Sequence, residues 1–276
     1  MDAYARIAED ISKTVTKRYS TSFSMASSLF DTSIKADIYT IYALVRIADE
    51  ITDTYHGMGA SELLDDLEKE VYGAIDREFS ANLVVHAFQR TAREYGIDKT
   101  LIAPFFRSMH MDVNPGPFDQ NLFSEYIHGS AEVVGLMCLK VFIGGDQKAY
   151  ETLKSGAVSL GAAYQKVNFL RDMKADYEKL GRYYFPVGTY DSFDDEIKDH
   201  IISDIRKDFK NANQYISRLP RSSRYAVSVS GSYFESLLAK LEETPADAIK
   251  HSRIRVPDSR KLVILAKEFV ASKVGA

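Results

Sequence analysis

Two pairs of aspartates, each with a spacing of four residues, are the feature that most constrains how this chain can fold. Asp49 and Asp53 form the first pair, and Asp172 and Asp176 form the second pair much later in the chain. Residues four apart lie on the same side of an α-helix, so each pair makes one polar line along a helix. Apolar residues flank both lines, which indicates that they face a cavity instead of bulk water. If the two lines face each other, four carboxylates surround one point and need a counter-cation.

Further polar residues accompany each aspartate pair in helical register. Tyr42 and Arg46 precede the first pair, and Gln165 and Asn168 precede the second. A single Asp-x-x-x-Asp is common on solvated helix faces, but two copies with polar partners in register favour a paired site. Hard oxygen ligands that leave room for water and phosphate oxygens suit Mg²⁺ best. We therefore expect Mg²⁺, with Mn²⁺ as a substitute, held by the four aspartates and the Asn168 side-chain oxygen.

Helical periodicity dominates the chain, and no strand or hairpin pattern is evident. Predicted helices cover residues 3–19, 33–54, 60–77, 80–95, 98–112, 121–143, 147–178, 195–218, 222–243 and 258–272. No Pro/Gly/Ser-rich linker divides the chain, and the two aspartate pairs have to converge. Residues 1–276 are therefore predicted to form a single all-α domain, a helical bundle around a central cavity. We expect the loops after the two pairs, residues 54–61 and 177–186, to close over a bound headgroup.

Composition argues against several other classes of protein. The net charge of −4 gives no support to nucleic-acid binding. The single cysteine, Cys138, lies in an apolar run and is expected to be a buried, inert thiol. Residues 1–10 carry three acids and no apolar stretch, so a signal peptide is not expected, and the longest apolar run, residues 133–143, is interrupted by Lys140. We expect a cytoplasmic protein with at most peripheral contact with the inner face of the cell membrane.

Several segments resemble those of the squalene/phytoene synthase family of head-to-head prenyl synthases, and most of all bacterial phytoene synthases. These segments are Ser20-Thr21-Ser22-Phe23, residues 42–53, 126–137 (YIHGSAEVVGLM), 161–176 and 181–186 (GRYYFP). The Gln-x-x-Asn-x-x-Arg-Asp sequence before Asp176 is the most specific of them. Glu132 departs from the family pattern, since many members carry glycine there. It could face the cavity or bond to a neighbouring helix.

The resemblance implies an isoprenoid-synthase-type fold and a defined reaction. Two geranylgeranyl diphosphates would be joined through a cyclopropylcarbinyl diphosphate to give phytoene, a step of carotenoid biosynthesis. The implied catalytic residues are Asp49, Asp53, Asp172 and Asp176. The implied substrate contacts are Ser20, Thr21, Ser22, Phe23, Tyr42, Arg46, Gln165, Arg171, Arg182, Tyr233 and Arg260. Phytoene synthases end the reaction by proton loss, so no NADPH is expected.

Three alternative functions are weighed against this one. The nearest is condensation of two farnesyl diphosphates to dehydrosqualene or squalene. Chain-elongating prenyl transferases usually carry Asp-Asp-x-x-Asp motifs, whereas this chain has Asp-Glu-x-x-Asp and Asp-x-x-x-Asp. A non-enzymatic helical scaffold should have lost some of the aspartates, and all four are present.

Product length is expected to depend on a run of small residues. Ser27 lies one helical turn beyond Phe23, with Ala26 and Ser28 beside it. Small side chains leave space for a long prenyl tail where a bulky residue would shorten the pocket.

Overall fold

All regular secondary structure in the described residues of the computed structural model is helical, as the sequence predicts. The described residues are 2–19, 25–55, 59–113 and 116–274, with side chains as far as residue 271. The helices are α1 (Ala3–Tyr19), α2 (Thr32–Asp53), α3 (Ala60–Arg77), α4 (Leu83–Tyr95), α5 (Lys99–Val113), α6 (Gln120–Ile127), α7 (Val133–Phe142), α8 (Gln147–Leu180), α9 (Asp195–Ile216), α10 (Arg221–Glu243), α11 (Ala246–His251) and α12 (Asp258–Val274). Short α11, which follows Pro245, is missing from the sequence prediction.

Helix α8, which carries the second aspartate pair, has well-defined ends. The Asp146 side chain caps its start by accepting hydrogen bonds from two backbone N–H groups of the first turn. The helix ends at Gly181, whose φ of 66° lies in the left-handed region that favours glycine. The chain then turns back, and the backbone N–H of Arg182 donates to the carbonyl of Asp176 at 3.0 Å. The end of α8 therefore brings Arg182 to the second aspartate pair.

The long helix predicted over residues 121–143 is divided by a π-helical segment, His128–Glu132, between α6 and α7. This region packs closely against its neighbours. A Cβ atom on Gly129 would lie 2.2 Å from the Pro104 carbonyl oxygen of α5, and one on Gly161 of α8 would lie 2.6 Å from the carbonyl of Ala131. Glu132 pairs with His128 of the same segment, Oε2 to Nδ1 2.9 Å, so it adopts neither of the two expected orientations.

The apolar interior consists of two clusters of buried residues, and residues from both clusters line the cavity. One is formed mainly by α2 to α5 and α7, and the other mainly by α8 to α11. Cys138 of α7 is half-buried and lines the cavity, so it is less enclosed than expected, although burial of the thiol still raises its pKa to about 12. No helix in the described part of the chain combines the length and apolar character needed to cross a bilayer.

The segment 177–186 differs from the expected lid. Helix α8 continues to Leu180, and the side chains of Arg182, Tyr184 and Phe185 are buried. These residues belong to the folded interior and do not form an exposed loop over the cavity. The other expected lid, residues 54–61, lies partly outside the described residues, which omit 56–58.

Candidate active site

A cavity of about 1040 Å³ lies between the helices, and both aspartate pairs line it. Pockets for single small ligands usually measure about 300–1,000 Å³, so this cavity is at the upper end of that range. Much of the remaining wall is apolar and includes Phe30, Leu139, Phe142, Leu153 and Leu219. The cavity therefore combines a carboxylate cluster with room for a long apolar ligand.

The first aspartate pair lies on α2. Asp53 Oδ1 accepts a hydrogen bond from Arg182 Nη1 at 2.9 Å. Arg46 lies one turn before Asp49. It donates to Glu50 at 2.6 Å and approaches the Asp49 carboxylate at 3.7 Å. Burial, followed by the neighbouring charge of Asp53, raises the pKa of Asp49 to about 7. The Asp49 side chain is 36% exposed, but this surface lines the cavity, so the protein still surrounds the carboxyl group.

The second pair lies on α8, and Arg182 links it to the first. Asp172 contacts Arg171, Nε to Oδ1 3.0 Å, and Arg253, Nε to Oδ1 2.7 Å. Burial, followed by the charges of Asp172 and Asp53, raises the pKa of Asp176 to about 7. Because Arg182 binds the Asp176 carbonyl through its backbone and Asp53 through its side chain, the two pairs face the same space.

A buried network below the first pair contains Asp112, which the sequence analysis missed. Arg182 Nη2 donates to the backbone carbonyls of Thr52 and Asp112, at 3.1 and 2.9 Å. The Asp112 carboxylate accepts hydrogen bonds from the hydroxyls of Tyr126 (2.7 Å) and Tyr184 (2.9 Å). Burial raises the pKa of Asp112 to about 6, although Arg182 and the two hydroxyls oppose this increase. All four side chains line the cavity.

A sequence signal for Asp112 does exist. Phe105 and Met109 are buried on α5, and Asp112 continues the same face at helical spacing. An acid at a core position is rarely tolerated without partners, so such a residue indicates a polar network or a functional site. The two tyrosines lie in segments that carry the family resemblance, YIHGSAEVVGLM and GRYYFP.

The donor set suits a divalent cation in several respects. Asp49 and Asp176 carry raised pKa values, first because they are buried and second because other aspartates lie close to them. Asn168 Oδ1 is buried in the wall and has no hydrogen-bond partner among the described residues. Within the same described residues, no three His, Cys, Asp or Glu side chains stand close enough to hold a metal ion by themselves. The oxygens of the four aspartates and Asn168 face this space.

The other expected substrate-contact residues are placed as follows. Tyr42, Arg46, Gln165, Arg171, Arg182 and Tyr233 line the cavity. Arg260 is exposed and outside the wall, whereas its neighbour Lys261 lies in the wall, 5.9 Å from the centre of the Tyr233 ring. The cations that line the wall at this edge are Arg253, Arg255 and Lys261, and Arg260 is not among them. Ser20, Thr21, Ser22 and Phe23 lie outside the described residues.

Comparisons with known proteins find relatives over much of the chain. The chain is 26% identical over 281 residues to phytoene synthase 3 of Zea mays, covering 94% of this chain and 65% of that protein. It is 28% identical over 198 residues to 4,4'-diapophytoene synthase of Staphylococcus haemolyticus, covering 69% of this chain and 66% of that one. The chain thus spans about two thirds of the length of these relatives.

A similar fold is found in a solved structure, a dehydrosqualene synthase in complex with ligand. The TM-score is 0.83 at 19% identity, and 98% of each chain is covered. The family model for squalene/phytoene synthase matches residues 16–260. The chain therefore belongs to the squalene/phytoene synthase family.

Proposed function

We propose that this protein is a Mg²⁺-dependent prenyl transferase that joins two geranylgeranyl diphosphates head to head to give phytoene. The observation that carries the proposal is the pair of facing aspartate lines, linked by Arg182, on the wall of a large and mostly apolar cavity. The similarity to a maize phytoene synthase supports the choice of product.

Different residues of the chain would bind the diphosphate headgroup and the prenyl tail. Asp49, Asp53, Asp172 and Asp176, with the Asn168 oxygen, would hold the cation. When bound, Mg²⁺ would neutralise the diphosphate oxygens and the charge that develops as diphosphate leaves. Arg46, Arg171, Arg253 and Lys261 supply positive charge at the same wall. The apolar wall would bind the tails, and each buried methylene contributes about 0.8 kcal/mol.

The proposed reaction has two steps that share this cavity. The C1–O bond of one allylic diphosphate breaks, and the double bond of the second molecule attacks the resulting cation. A proton is lost as the cyclopropane ring closes. The second diphosphate then leaves, the carbon skeleton rearranges, and loss of another proton gives the hydrocarbon. The apolar wall excludes water, which would otherwise quench the cations.

A second candidate is the same condensation of two farnesyl diphosphates. The 28% identity to a 4,4'-diapophytoene synthase favours it. Both candidates use the same carboxylates and differ in the tail length that the apolar wall accepts.

Product analysis of purified protein tests the proposal. Incubation with C15 and C20 diphosphates, with and without NADPH, should give phytoene from the C20 substrate whether or not NADPH is present. A reduced central bond that appears only with NADPH would identify a squalene-type reaction instead.

Metal dependence and the aspartates are tested together. EDTA should abolish turnover, and Asp49→Asn or Asp172→Asn should lower it at least ~100-fold, since each change removes several kcal/mol of charge stabilisation. Asp66→Asn on the exposed face of α3 is the matched control and should retain full activity. Full turnover in EDTA, or in either site variant, would contradict the mechanism.

A further inference from the structure

The most exposed large apolar side chains of the described residues all lie on one helix, α12. Their exposed fractions are 67% for Leu262, 55% for Val263, 53% for Phe269 and 61% for Val270. Every other large apolar side chain in the described part of the chain is less exposed. At 100° per residue these four positions fall within one face of α12. We call these four residues the α12 stripe.

Contacts on the opposite side of α12 fix the orientation of the stripe. Ile264 is buried, the Tyr225 hydroxyl donates to the carbonyl of Leu265 at 3.3 Å, and Ser232 donates to Glu268 at 2.7 Å. Both donors lie on α10, so α12 is attached to α10 along its inner side. Leu262, Val263 and Val270 therefore point away from the protein, whereas the Phe269 ring, at the margin of the stripe, lies edge-on to the Tyr225 ring of α10 with 6.3 Å between the ring centres.

Basic residues lie beside the stripe. Arg260 and Lys267 of α12 are exposed, and at 100° per residue both fall next to the stripe on the same flank. The other nearby cations, Arg253, Arg255 and Lys261, line the cavity wall instead. An amphipathic helix with an exposed apolar face and basic residues beside it is the pattern of a helix that lies in the surface of a bilayer.

The stripe also adjoins the cavity. Pro257, Asp258 and Lys261 line the cavity wall at and just before the start of α12, within about one and a half turns of the first stripe residue, Leu262. A bilayer in contact with the stripe would therefore lie beside one edge of the wall.

We infer that the α12 stripe binds the surface of a membrane that contains anionic lipids. A second copy of the chain is a poorer occupant, because a two-fold symmetric contact places each patch against itself and would bring the basic residues of both copies together. Acidic headgroups complement this charge, and acyl chains accept the apolar side chains. This inference deepens the proposed function: the tails of the substrates and the hydrocarbon product would exchange with the bilayer beside the cavity.

Binding to lipid vesicles tests the inference without any substrate. Wild-type protein should cosediment with vesicles of phosphatidylcholine and phosphatidylglycerol, at least ~10-fold more strongly than with phosphatidylcholine alone, and added salt should weaken binding. The double variant Leu262→Ser, Val270→Ser and the charge variant Lys267→Glu should each reduce binding about tenfold. The matched control is Leu63→Ser on α3, which replaces a leucine that is 43% exposed and should leave binding unchanged.

These measurements test membrane binding independently of the proposed condensation reaction. Equal binding by wild type and the stripe variants, or no binding to anionic vesicles, would overturn it. So would a wild-type dimer in sedimentation that the double variant converts to monomer, since a second copy would then cover the stripe. Turnover of detergent-dispersed substrate should be the same in wild type and the double variant. Failure of the proposed condensation would appear in that assay while leaving vesicle binding intact.

Discussion

At the scale of single residues, the buried carboxylate of Asp112 positions other side chains of the site. It does not need to touch the ligand, because it contacts Arg182 and accepts hydrogen bonds from Tyr126 and Tyr184. Arg182 in turn holds Asp53. We therefore regard Asp112 as a positioning residue.

Replacing Asp112 with Asn should lower both stability and turnover. The amide removes the charge that pairs with Arg182 and places a donor group against two hydroxyl donors. Leaving such buried groups poorly satisfied should reduce the free energy of unfolding by about 1–3 kcal/mol. Displacement of Arg182 should lower kcat at least ~10-fold with a smaller change in KM. Urea unfolding and steady-state kinetics measure the two effects.

A double variant separates positioning from packing. In Tyr126→Phe, Tyr184→Phe, both hydroxyl donors are lost while the Asp112–Arg182 contact can remain. If Asp112→Asn folds and keeps wild-type kcat, Asp112 has no positioning role.

The sequence predicts a role for the four aspartates more readily than for Asp112. The spacing of Asp49 with Asp53, and of Asp172 with Asp176, places each pair on one helix face, which local geometry is enough to reveal. The partners of Asp112 lie on other parts of the chain, and Tyr184 is 72 residues away. No local pattern predicts which distant side chains will meet, so only the unusual position of an acid on an apolar helix face could have pointed to it.

At the scale of secondary-structure elements, the close contact between α7 and α8 depends on glycine. A Cβ atom on Gly135 would lie 2.7 Å from the Ala157 carbonyl oxygen, a distance that real Cβ atoms essentially never show. Backbone atoms cannot move aside as a flexible side chain can. The helices would have to separate, and the cavity wall beside Gly135 would change with them.

Gly135→Ala should therefore destabilise the protein by about 1–3 kcal/mol. Helix propensity alone would predict the opposite sign, since alanine is the better helix former by about 1 kcal/mol. Gly116→Ala is the control, because nothing lies within 4 Å of the Cβ position there. Thermal unfolding of both variants measures the difference, and a stabilised Gly135→Ala would show that the two helices can separate without loss.

Ser27 tests how the segment before α2 limits the length of the ligand. Its side chain is buried and lines the cavity, as does Ala26, whereas Ser28 is exposed and does not. The expectation that all three small residues face the tail is thus wrong for Ser28. Ser27→Phe should fill part of the cavity and shift preference from C20 toward C15 diphosphate, by roughly 10- to 100-fold in relative kcat/KM.

A competition assay between the two diphosphates measures this shift. Ser28→Phe adds the same ring one position away on the exposed side and should leave the ratio at the wild-type value. An unchanged ratio in folded, active Ser27→Phe would mean that the tail does not reach this part of the wall.

Helix boundaries were predictable where capping residues or glycine mark them, and less so where tertiary packing decides. The start of α3 at Ala60 and the start of α8 at Gln147 agree with the sequence prediction. The π-helical segment inside the predicted helix 121–143 does not appear in the hydrophobic pattern. It occurs where close packing on α5 and α8 sets the backbone, and such contacts are not visible in a local window.

At the scale of the whole molecule, crowded carboxylates should make the stability of the metal-free protein depend on pH. The pKa values of Asp49 and Asp176 are about 7 in the folded protein, against a usual value near 3.8. Between these values the folded state binds more protons than the unfolded state, so stability falls as pH rises through this window. Both groups are charged in both states above it, and their unfavourable effect is then complete.

Melting temperature in EDTA, measured from pH 5 to pH 8, tests this expectation. Burial lowers the pKa of His86, which acts in the opposite direction in part of the range, so the comparison with Asp49→Asn isolates the carboxylate. The variant should gain stability relative to wild type as pH rises, while Asp66→Asn should follow the wild-type curve. Parallel curves for wild type and Asp49→Asn would mean that Asp49 titrates alike in the folded and unfolded states.

Arg182 has a consequence for the thermodynamics of ligand binding. Its backbone and side chain join the ends of α2, α5 and α8 through bonds to Thr52, Asp53, Asp112 and Asp176. The site is therefore preorganised, and the conformational entropy of bringing these three helix ends together is lost during folding. Diphosphate and its cation do not have to supply that free energy when they arrive, so more of their interaction energy can appear as affinity.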